Sequence, residues 1–187
     1  MKRLFFFAAL CIITVFIACE QTEIINNNAV ETANLENRTD GIYTLFAGQD
    51  IDAGTVTIEI IDEDLVVTYQ TNDCWSVGTT HLYAGTLEGL PVNGGGNPKH
   101  GHFPYVQESN GQDTDMVIYI IPLSEVELSD GEGDSGSASC IYVAAHAELH
   151  GSCSGPDSGG NGNETGYGEW DIEFEGNRWG GLIEYCF

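Results

Sequence analysis

The chain has 187 residues, with 29 Asp and Glu against 5 Lys and Arg and a net charge of −24. So few cations cannot neutralise a run of phosphates, which excludes nucleic-acid binding and charge-driven docking on an anionic membrane surface. The length beyond the first forty residues fits one domain with a real core.

The chain opens Met1-Lys2-Arg3, runs through apolar residues from Leu4 to Ala18 and reaches Cys19. A positive n-region, an apolar h-region and a small-residue exit, in that order, read as a secretory signal. The apolar run falls short of the roughly 20 residues that a membrane span needs. Phe16-Ile17-Ala18-Cys19 resembles a bacterial lipobox, with Phe16 where Leu is usual. That resemblance implies a signal peptide over 1–18, lipidation of Cys19 as the first mature residue, and a stable membrane anchor of several acyl chains. Removal of Lys2 and Arg3 leaves three cations against 29 acids, a net charge of −26. Residues 19–41 are polar, poor in aromatics and without a period, and read as a flexible tether. The folded domain is expected over 42–187.

Within that domain, short alternating runs rich in Val, Ile, Thr and Tyr are separated by Gly, Asp, Asn and Pro, the pattern of strands and turns. A first strand is expected at 44–47. Strands at 54–61 and 65–71 flank Asp62-Glu63-Asp64 and form a hairpin. Residues 79–86 make the next strand. The stretch 87–105, with three prolines and two glycine-rich patches, reads as an ordered loop. Strands follow at 114–121 and 139–149, the latter so continuously apolar that it is expected to be central. Residues 167–174 and 179–185 close the chain. No 3.6-residue period is present. The fold class is therefore all-β: an antiparallel two-sheet β-sandwich, with a β-barrel-like arrangement as the alternative.

Four cysteines remain after Cys11 leaves with the signal and Cys19 takes the lipid: Cys74, Cys140, Cys153 and Cys186. An even number in an exported domain points to two disulfides, and four cysteines allow three pairings. No two of the four have zinc-site spacing.

The loop over 129–137 carries Asp130, Glu132 and Asp134 at alternate positions between glycines. Such carboxylates can turn onto one centre and supply the hard oxygens that calcium takes, so calcium is the expected cofactor if the chain has one. The loop lacks the distant glutamate of an EF-hand. A second oxygen-rich loop runs from Asp157 to Glu164. His100 and His102 form an H-x-H pair. His146 and His150 lie four apart in HAELH and share one face of a strand. The metalloprotease signature needs glutamate after the first histidine, and here Ala147 stands there.

Glu169, Asp171, Glu173 and Glu175 alternate with Trp170, Ile172 and Phe174, the pattern of a half-buried strand with a solvated acidic face. The same acids are the pair type that glycoside hydrolysis requires. Trp75, Trp170 and Trp179, with Tyr83, Tyr105 and Tyr167, are the residues from which a sugar-stacking surface would be built.

The segments THLYAGTLEGLPVNGGGNPKHGHFPY, CIYVAAHAEL and NRWGGLIEYCF resemble a group of exported bacterial lipoproteins of the Bacteroidetes type of cell envelope. On that resemblance His81, Phe103, Pro104, Tyr105 and His146 are the family-like positions. The group has no assigned activity, so the resemblance implies an exported all-β domain and no substrate. The expected function is that of a non-enzymatic envelope lipoprotein, a binding or structural module stabilised by calcium, with a glycan or protein ligand. The alternative is a small envelope hydrolase that acts on a glycan through Glu169 or Glu173 with neighbouring histidines.

Overall fold

Alternation of apolar and polar residues becomes, in the computed structural model, eleven strands and two single-turn 3-10 helices among the described residues. The structure describes residues 41–109, 112–130, 139–152 and 162–187. The strands are β1 (Gly41–Ala47), β2 (Ile51–Ile61), β3 (Asp64–Thr71), β4 (Trp75–Gly85), β5 (Tyr105–Gln107), β6 (Met116–Pro122), β7 (Ser129–Asp130), β8 (Ser139–Gly151), β9 (Asn163–Gly168), β10 (Ile172–Glu173) and β11 (Gly181–Cys186). The strand pairings among the described residues are antiparallel, as expected.

Of the two all-β arrangements, the pairing is the barrel-like one. From β6 the ladder runs through β3, β2, β1 and β9 to β8, and β8 pairs with β4 on its other side. β4 in turn carries β5. The circle nearly closes between β6 and the β4–β5 pair. There Val77 and Thr114 exchange backbone bonds of 2.7 and 3.1 Å. The Gln107 amide nitrogen donates to the Ile118 carbonyl at 2.8 Å. Inside the barrel, the Thr80 hydroxyl and the Tyr119 phenol meet at 2.6 Å.

The hairpin of β2 and β3 forms as the sequence predicts. Ile61 faces Asp64, so the turn is Asp62-Glu63, with Asp62 at a positive φ of 55°. Alternate residues of each strand fill the barrel: Val56 and Ile58, then Leu65, Val67 and Tyr69, then Val117, Tyr119 and Ile121. Strand β8 is central, as its composition predicts, and the reason is burial on both faces. Ile141, Val143, Ala145, Ala147 and Leu149 point into the barrel. On its outer face, Ala144 joins a second apolar cluster with Tyr83, Phe103, Tyr167, Phe174 and Leu182. That outer cluster is roofed by the loop 86–104 and the segment 169–180.

One expected strand does not run through. The segment 167–174 breaks after Gly168, and only Ile172–Glu173 re-enters the sheet, against Leu182 and Gly181. The Glu169 backbone N–H makes one more rung to the Thr44 carbonyl of β1 at 2.7 Å, and the chain then leaves the sheet. The acidic alternation from Glu169 to Glu175 is therefore not one half-buried strand. Cys140 and Cys186 are joined in a disulfide, with Cα atoms 4.1 Å apart. They sit directly opposite each other on β8 and β11. Their neighbours Ser139 and Phe187 exchange both backbone hydrogen bonds, which leaves the cysteines at the close, non-hydrogen-bonded position. Cys74 is disulfide-bonded as well. Cys19, Glu132, Asp134 and Cys153 lie outside the described residues.

Candidate functional site

Register builds the site. Val106 of β5, His81 of β4, His146 of β8, Tyr167 of β9 and Phe46 of β1 stand opposite one another in a continuous cross-strand row. Directly paired residues on one sheet face have Cβ atoms about 5 Å apart. The ring centroids follow: 5.3 Å between His81 and His146, and 5.1 Å between His146 and Tyr167.

The roof adds a third imidazole. The 3-10 turn His100–His102 in the long loop brings His100 down onto His146, the rings stacked at 4.1 Å and 13°. Nε2 of His100 is hydrogen-bonded to the Tyr167 phenol. The phenol is the more acidic partner and donates, which leaves the His100 ring proton on Nδ1. Gly180, at φ +106°, lies on the Tyr167 ring, where a Cβ would come within 2.8 Å of it. Only glycine meets both demands at this position.

Burial sets the charge of these groups. His146 is 6 % exposed, and desolvation holds its pKa down at about 2, helped by the neighbouring His100, His81 and Arg178. Desolvation, then Arg178 and His81, brings His100 to about 4. His81 is lowered by burial, against the pull of Glu148 and Glu108. The Tyr167 phenol is raised by burial, with Arg178 opposing. At neutral pH the cluster is thus an uncharged stack of rings.

Three imidazoles in one place suggest a metal, and the geometry answers no. Parallel stacked rings hold their nitrogen lone pairs parallel, so His100 and His146 cannot converge on one ion. Among the described residues, only Cys140, Glu184 and Cys186 have metal-ligating atoms close enough together, and both sulfurs are spent in the disulfide. Nδ1 of His81 and Nδ1 of His146 are buried without a hydrogen-bond partner.

The cluster reaches solvent through a cavity of about 120 Å³ lined by His100, Thr165, Tyr167, Arg178 and Trp179. Trp179 packs edge-on to Tyr167 at 5.2 Å and lies 6.1 Å from Trp170, giving two half-buried indoles at the rim. Asn97 fixes this rim, its side-chain carbonyl accepting from the backbone N–H of Asn177 at 2.8 Å and of Arg178 at 3.1 Å. The Arg178 guanidinium is exposed and has no ion-pair or hydrogen-bond partner among the described residues. Arg178 and Lys99 are the only Lys and Arg among those residues, and Lys99 precedes His100 in the chain.

The structure brings together His81, His146, His100, Tyr167 and Trp179 from the residues that the sequence singles out. His102 is exposed and does not join. His150 lies on the same outer face of β8 as His146 but at the strand's end, hydrogen-bonded through Nδ1 to the Asp113 carboxylate. Tyr105 lines a different groove, between β5 and β6. Trp75 is core, at 3 % exposure, and Tyr83 is buried, its phenol donating to the Thr86 carbonyl. Glu169 accepts from the Thr44 N–H at 3.3 Å, and Glu173 lines an apolar pocket. Neither carboxylate lines the histidine cavity. Of the acidic loop, Asp130 pairs by its backbone with Ser139 in β7. Arg178 is the site residue that motif reading passes over; its rarity as a cation is the signal that finds it. Compared with family models, with curated proteins and with solved structures, the chain matches none.

Proposed function

We propose that this chain is a lipid-anchored binding module of the bacterial cell envelope whose ligand is a glycan ending in a single carboxylate sugar. The observation that carries this reading is the Arg178 guanidinium, unpaired among the described residues, beside the Trp179 indole at the mouth of a small cavity, on a surface otherwise dominated by acids. An indole offers an apolar face to a sugar ring, and a guanidinium forks onto a carboxylate through two parallel hydrogen bonds. The Tyr167 phenol and the Thr165 hydroxyl supply polar partners at the cavity floor and wall. A polyanionic chain would be repelled by the net charge, so recognition falls on one terminal acid. The neutral, closely stacked histidines hold the floor rigid without competing for the anion. Among the described residues no pair of carboxylates lines the cavity, which favours binding over glycan hydrolysis.

A glycan array probed with the full chain tests this. Glycans with a terminal uronic or sialic acid should bind, and their amide or neutral counterparts should not. Arg178→Ala should remove the discrimination, and Trp179→Ala should weaken binding of the acidic glycans. Equal binding of acid and neutral glycans, or an unchanged profile in Arg178→Ala, would sink the reading.

A further inference from the structure

A second cavity, of about 310 Å³, opens on the same roof but shares no lining residue with the first. Its floor is Ile172, Phe174 and Leu182, which belong to the outer apolar cluster. Leu87 and Val92 stand at its edge, each 44 % exposed, so apolar surface continues from the cavity into solvent. Three glutamates, Glu88, Glu173 and Glu175, come to the same cavity from two separate segments. All three are exposed, and none has a hydrogen-bond or ion-pair partner among the described residues.

The two features select one ligand chemistry. The volume is at the lower end for small-molecule sites, and the floor rewards an apolar body. The glutamates reject a fatty acid or any other anion. A bare metal ion would find carboxylates on an apolar floor, without the six to eight convergent oxygens that calcium takes. A cation carried on an apolar body satisfies both: its body fills the floor while its head stays at the rim among the carboxylates. We infer that this cavity is a binding site for a small amphiphilic amine, an ammonium head on an alkyl or aryl body. The site is independent of the glycan reading, since Arg178 and Trp179 take no part in it.

The experiment titrates the full chain with n-octylammonium, n-octanol and n-octanoate at matched concentration, read by calorimetry and by the NMR resonances of Phe174 and Leu182. The ammonium should bind about tenfold more tightly than the alcohol, the factor that one modest charge interaction supplies. The octanoate should not bind. Added salt should narrow the gap between ammonium and alcohol. The double variant Glu173→Gln, Glu175→Gln removes two exposed charges without touching the core, and should bring the ammonium down to the alcohol's affinity. Arg178→Ala should leave ammonium binding unchanged. Equal affinity for ammonium and alcohol, binding of octanoate, unmoved Phe174 and Leu182 resonances, or binding of lysine-containing peptides alone would each overturn the assignment.

Discussion

His146 carries a measurable consequence of the way the row of rings is buried. In the unfolded chain its pKa is near 6.5. In the folded chain it is about 2, with desolvation the main cause. The groups that face it are His81 on β4, His100 from the loop, Tyr167 on β9 and Arg178 at the rim, and none is an acid. Between the two pKa values the unfolded state holds the extra proton, so stability is full above about 6.5 and falls as pH drops. For this one nearly buried histidine the slope reaches about 1.4 kcal/mol per pH unit. His81 and His100, shifted the same way, add to it. Thermal melts of the full chain at pH 7.5, 6.0 and 5.0 should show a falling Tm, and His146→Gln should flatten that dependence whatever its effect at pH 7.5. An unchanged slope in the variant would place the acid sensitivity elsewhere. The sequence singles out His81 and His146, but it cannot show that they face each other. That depends on the register between β4 and β8, which pairs two residues 65 positions apart in the chain.

Strand β11 shows what long-range pairing asks of a short element. It has six residues, and its two partners are four residues of β8 and the two-residue β10. The Cys140–Cys186 bridge closes 46 residues of chain, worth about 4 kcal/mol on the chain-entropy relation and typically less in practice. Cys140→Ser with Cys186→Ser should lower the unfolding free energy by about 2–4 kcal/mol in urea melts. Hydrogen exchange should rise first at the amides of Ile183 and Tyr185. Paired substitution is the right probe, because a reductant would also open the Cys74 disulfide. A loss below 1 kcal/mol, with protected β11 amides, would mean that packing of Ile183 and Tyr185 in the barrel suffices. At this scale the sequence is most legible where local pattern decides. The β2–β3 hairpin is readable from period-2 alternation around an acidic turn, because both strands and their register are local. The break at 170–171 is hidden, since alternation continues through Glu169–Glu175 while the backbone leaves the sheet after its last rung to Thr44. Barrel closure is hidden too. Sandwich and barrel share the same alternation and differ only in whether the end strands meet, here at the contacts of Val77 with Thr114 and of Gln107 with Ile118.

Across the whole molecule, charge and anchorage act together. With the signal removed as the proposed function requires, the net charge would be −26, which an anionic lipid surface repels, so on that proposal contact with the membrane comes through a covalent group. The proposed function assigns that group to Cys19. Cells fed an alkyne-tagged fatty acid should incorporate the tag into this protein, and the mature mass should begin at Cys19. Cys19→Ser should abolish labelling and move the protein from the membrane fraction to the soluble fraction, with the pH-dependent melt of the folded domain unchanged. An unlabelled wild-type protein in the soluble fraction would mean a plain secreted domain. In that case ligand capture would no longer be tied to one membrane, and the acidic surface would serve solubility alone.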